Sequence, residues 1–124
     1  MFTKKDIKKF LQTKSPDTFY NSKPLVVWCL ENPKALKLLL KNGADPNIDF
    51  EISDGISVTP SFVAKHLIKR LNGLLTSLED IGYMECYCGT EKSLERLKKS
   101  HNLLKSFGGK SLLFREYIRV DVHV

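Results

Sequence analysis

The chain has little cysteine, one tryptophan and no long apolar run. Its 3 cysteines, Cys29, Cys86 and Cys88, are odd in number, and Cys86-Tyr87-Cys88 is too tight for an ordinary structural disulfide. Reduced thiols in a reducing compartment follow, and hence an expected cytoplasmic location. The opening "MFTKKDIKKF" carries lysines where a secretory leader needs an apolar core. No run approaches the length of a membrane span.

Catalytic signatures are missing as well. The chain has no Gly-x-Ser-x-Gly and no His-Glu-x-x-His. Gly108-Gly109-Lys110-Ser111 imitates the end of a phosphate loop, but it lacks the earlier glycine and follows a helix rather than a strand. Cys86, Cys88, His66 and His101 could ligate a metal in principle, yet Cys-x-Cys with scattered histidines is a weak zinc pattern. Cys88 with His101 is an equally weak nucleophile–base pair. The expectation is a protein without catalytic residues, metal or other cofactor.

What is present fits one domain with one modest core: 124 residues, 42% hydrophobic and 27% charged. The formal net charge of +6 is unevenly spread. Lys4, Lys5, Lys8, Lys9, Lys14 and Lys23 crowd the first segment. Lys92, Arg96, Lys98, Lys99, Lys105 and Lys110 crowd a late one. Between them Asp45, Asp49, Glu51 and Asp54 run without a base. The basic ends suit an acidic partner or nucleic acid, and the acidic stretch suits a basic partner.

Apolar periodicity predicts helices. Ile7, Phe10 and Leu11 give residues 4–12 one apolar face, with Thr3 as N-cap. Pro24 suits a first helical position, and Asn32-Pro33 ends that helix. A second helix carries Ala35, Leu36, Leu38, Leu39 and Leu40, and Gly43 stops it.

Pro24-Leu25, the Leu38-Leu39-Leu40 helix end and Gly43-Ala44-Asp45-Pro46-Asn47 together resemble an ankyrin repeat. Lys23, Val26 and Trp28 depart from the family pattern, so local repacking around Trp28 is expected. Thr59-Pro60-Ser61-Phe62-Val63-Ala64 resembles the start of a second repeat. There Thr59 would be the N-cap, Pro60 the first helical residue, and Asn72-Gly73 the turn before a partner helix ended by Gly82.

The expected fold is therefore all-α: an ankyrin-like helical-hairpin solenoid over 1–124, with repeats at 21–50 and 51–82 and diverged caps at 1–20 and 83–124. Thr90 would cap a helix stopped by Gly108-Gly109, and Leu112 to Ile118 would be a last helix. The tail "YIRVDVHV" alternates as a strand does, and reads equally as a short C-terminal strand or a frayed end.

The resemblance implies a protein-binding module, monomeric or weakly dimeric, whose partners touch the finger and the inner face of the first helix. Those positions are Asp49, Phe50, Glu51 and Ile52 on the finger, with Asp54 beside them, and Val27, Leu30 and Glu31 on the helix. Phe50 is either an aromatic anchor ringed by acid or a residue folded back on the repeat. A toxin-neutralising immunity or inhibitor protein is one specific form. The alternative class is a basic nucleic-acid-binding helical protein.

Overall fold

The helices arise where apolar spacing demands them. The computed structural model describes residues 2–80, 87–115 and 119–120. Helix α1 (Lys4–Leu11) is closed by a capping box: the Thr3 side chain accepts from the Asp6 amide, and the Asp6 carboxylate accepts from the Thr3 amide. A two-stranded hairpin follows, β1 (Phe19–Tyr20) and β2 (Lys23–Pro24). Its turn residues Asn21 and Ser22 are both left-handed, at φ 47° and 67°, the pattern of a type I′ turn. Pro24 is not the first helical residue: it holds an extended conformation as the cap before the single-turn α2 (Leu25–Trp28).

Helix α3 (Pro33–Lys41) starts as its sequence dictates. Pro33 opens it, and the Asn32 side chain accepts from the Ala35 amide at 3.3 Å. Gly43, at φ +93°, ends it. The Gly43 amide donates to Leu40 O and the Ala44 amide to Leu39 O, the two bonds of a Schellman stop. Ala35, Leu36, Leu39 and Leu40 face inward and are buried.

Two long helices complete the helical layer, α4 (Pro60–Asp80) and α5 (Tyr87–Ser106). They pack on each other; α3 lies against both α1 and α5, and α2 against α3 and α4. The core joins Ile7, Leu25, Val26, Leu36, Leu39, Ala64, Leu97 and Leu104. Ser100, buried on α5, donates to Leu30 O at 2.6 Å and ties that helix to the turn just after α2. Trp28 repacks outward. Its indole donates to Tyr20 O at 2.7 Å, and its ring meets Phe2 and Tyr20 edge-on, with centroids 6.1 and 5.8 Å away.

The expectation of an all-α solenoid is overturned by a four-stranded antiparallel sheet, order β3-β4-β5-β6. Its strands are β3 (Phe50–Ser53), β4 (Ile56–Val58), β5 (Leu113–Arg115) and β6 (Arg119–Val120). Phe50/Ile52 and Ile56/Val58 alternate around Asp54-Gly55, which is a hairpin signal and not a loop signal. Leu113 to Arg115 is then strand instead of helix because it covers the free edge of β4. The tail pairs in part, through Arg119 and Val120; Tyr117, Ile118 and residues 121–124 lie outside the described residues.

The second repeat also differs from expectation. Helix α4 runs unbroken through Asn72-Gly73. A helical glycine costs only about 1 kcal/mol, and Leu67, Ile68 and Leu71 pack on the core along the same helix. The partner helix is α5, and Thr90 lies inside it, since it begins at Tyr87. Gly82 lies outside the described residues. Gly108-Gly109 does stop α5.

Cys29 is a buried free thiol whose pKa is pushed up to about 12 by loss of solvation. It stays neutral at physiological pH and lacks the thiolate that reacts. Iodoacetamide at about pH 8 should leave Cys29 unmodified in the folded protein and alkylate it fully in denaturant, as read by site-resolved mass spectrometry. Modification at equal rates in both states would refute this burial.

Candidate functional site

The β3–β4 hairpin is built so that its base is fixed and its tip is free. Phe50 pairs with Val58, and Val58 pairs on its other side with Leu113. Phe50 is 4% exposed, so it is a core residue and not a partner anchor. Strict alternation would turn Ile52 inward beside it. The register forbids this. Glu51 pairs with Ser57 but Ser53 with Ile56, which leaves Ile52 as the extra residue of a bulge. A bulge re-aims its side chain, and Ile52 is 54% exposed. Asp49, Glu51 and Asp54 around it are exposed too. Among the described residues none of the three is in an ion pair; the pairs present are Arg96–Glu31 and Lys99–Glu95.

Two side chains lock the base. Asn47 uses its whole amide: Nδ2 donates to Gly108 O at 2.9 Å, and Oδ1 accepts from the Lys110 amide at 2.7 Å. Thr59 holds the expected N-cap position before Pro60, the first residue of α4, and its carbonyl accepts from the Val63 amide. Its hydroxyl instead donates to Lys110 O at 2.6 Å and accepts from the Leu112 amide at 3.0 Å. The "Gly-Ala-Asp-Pro-Asn" turn and the start of α4 are thus stitched to the segment that leads from α5 into β5. Asp45 extends the stitching backward, since its amide donates to Asp17 Oδ1 at 2.8 Å.

The expected helix positions form a separate set. Val27 is half-buried on α2. Leu30 is 2% exposed and belongs to the core. Glu31 lies 3.9 Å from Arg96 with 45% of its side chain exposed. No hydrogen bond or ion pair among the described residues links Val27, Leu30 or Glu31 to the hairpin. The positions that remain open to a partner are Asp49, Glu51, Ile52 and Asp54 together, with Val27 and Glu31 apart.

The chemistry-bearing candidates scatter. His66 is exposed. His101 is half-buried, and burial first, then Lys105 and Lys65, holds its pKa below the usual imidazole value. The Cys88 side chain and all of Cys86 lie outside the described part. No cluster of metal-ligating residues occurs among the described residues. In Gly108-Gly109-Lys110 the amides that would cradle a phosphate are spent: those of Gly108 and Gly109 close α5, and that of Lys110 goes to Asn47.

One surface escaped the sequence reading. Lys34, Lys37 and Lys41 are exposed along α3. With Lys4 and Leu38 they line a groove against α1. With Pro33, Lys99 and Leu103 the first two line a second groove against α5. Their spacing of three and four residues was the available signal. It was masked because the charge count followed the two ends of the chain.

No protein-family model, curated protein or solved structure matches the chain. No helix among the described residues is long and apolar enough to cross a membrane.

Proposed function

We propose that this chain is a non-catalytic, cytoplasmic protein-binding module whose recognition element is the β3–β4 hairpin tip. The observation that carries the reading is the bulge at Ile52. It sets one exposed apolar side chain among Glu51, Asp49 and Asp54. Such an arrangement suits a partner with a basic rim around an apolar pocket. Apolar burial would supply affinity, and the exposed acids would supply steering and register. The likeness of Leu38 to Asn47 to an ankyrin-repeat end supports the same role, as do the hydrogen bonds that anchor the hairpin base, because an anchored recognition element loses less entropy on binding. An inhibitor or immunity protein, which blocks its target by occupying it, is the specific form proposed.

The test is quantitative capture from a lysate of the protein's own cell. The wild-type chain should retain one stoichiometric protein, and the double variant Glu51→Lys/Ile52→Ser should weaken that complex at least about tenfold. Both positions are exposed, so the variant should unfold at the wild-type temperature. Retention of the same protein by both forms, or of none by either, would sink the proposal.

A further inference from the structure

Lysines gather on one helical face of this molecule, and that face has a definite shape. Its axis is α3, whose charged residues are all lysines: Lys34, Lys37 and Lys41. Lys4 of α1 and Lys99 of α5 flank them across two neighbouring grooves. Among the described residues no carboxylate lines either groove; Glu95 pairs loosely with Lys99 at 3.9 Å, with both side chains mostly exposed. Two helix-to-helix steps of about 8–10 Å make this face nearly 20 Å wide.

We propose that the α1–α3–α5 face binds the phosphate backbone of duplex nucleic acid, independently of base sequence and separately from the acidic hairpin. Lysine is a compact, hydrated point charge that meets a phosphate without bidentate geometry. The grooves' charged lining is all lysine, and the lone planar amide among the described lining residues, Asn102, sits at one side of the α5 groove; such a row positions a backbone more than it reads bases. The width suits a duplex, which presents phosphates of both strands across a groove about 12 Å wide. An anionic membrane would call for an apolar wedge in the same face. The large exposed apolar residues Phe19, Tyr20, Ile52 and Phe107 line neither groove. Basic residues at the two ends of the sequence thus converge on one surface through α3.

The test uses the full chain and labelled duplexes of about 20 base pairs, DNA and RNA, of two unrelated sequences, followed by anisotropy from about 50 to 300 mM KCl. Binding should be alike for both sequences, and log K should fall with log salt at a slope of about −4.5, as about five phosphate contacts require. The variant Lys34→Ala/Lys37→Ala/Lys41→Ala should bind more than about tenfold more weakly and flatten the slope by about 2–3, while its melting temperature holds. The variant Glu51→Lys/Ile52→Ser should keep the slope. Comparable binding of DNA and RNA, or a preference for one, supports the proposal and identifies the duplex. No binding at the lowest salt, an unchanged slope in the triple variant, or binding only to phosphatidylserine vesicles overturns it.

Discussion

Thr59→Val should lower the free energy of unfolding by about 2–4 kcal/mol, a large part of the total for a domain of this size. Valine fills nearly the same space but has no hydroxyl. Lys110 O would then lose its donor at 2.6 Å and the Leu112 amide its acceptor at 3.0 Å. Both groups sit in a partly buried seam, and water does not freely replace what is lost. The backbone bond from the Thr59 amide to Leu112 O at 3.2 Å survives, so the strand is loosened but not released. Thr59→Ser separates the causes: it keeps the hydroxyl, drops a methyl and should cost about 1 kcal/mol or less. Urea denaturation of the two variants gives the answer. Equal losses would show that packing, not hydrogen bonding, holds the seam.

Gly109→Ala should cost about 2–3 kcal/mol. A Cβ at that position would stand 2.7 Å from Leu104 O and 3.0 Å from both Leu104 C and Ser61 Oγ. Ser61 can rotate, but Leu104 is backbone, and its oxygen already takes the Gly109 amide at 2.7 Å. The stop of α5 must therefore open, which shifts Lys110 away from Asn47. Gly73 gives the contrast: a Cβ there meets nothing within 4 Å, and its place in α4 favours alanine by about 1 kcal/mol. The two glycine-to-alanine changes should move the midpoint in opposite directions. A shift of the same sign in both would refute the steric account.

Local chemistry made parts of this fold legible. Thr3, Asn32-Pro33, Gly43 and Gly108-Gly109 mark helix ends through interactions within a few residues, and such signals survive any tertiary context. The sheet was harder to see. Asp54-Gly55 between alternating residues marks a hairpin, but the same residues also fit the finger of a repeat, which needs no strand partner beyond itself. β5 is a different case: its state follows from an edge on β4, and nothing within Leu113 to Arg115 announces that edge. At the candidate site, the acidic tip was visible in the sequence. The inward Phe50 was one of two readings the sequence left open, and the outward Ile52 was not legible, because a one-residue register shift after Glu51 turns it.

The seam between Thr59 and Lys110 joins residues 51 apart in sequence, and this separation orders the folding of the molecule. The α2–α3 pair and the β3–β4 hairpin close over short stretches and can form early. The segment after α5 must be made and brought back before β4 acquires its second neighbour. Until then β4 presents an open edge, the template on which nascent chains pair with one another. Truncation ahead of Lys110 should therefore leave a chain that retains its helices and associates through that edge, and the length of the polypeptide beyond Ser106 becomes a condition of solubility during synthesis.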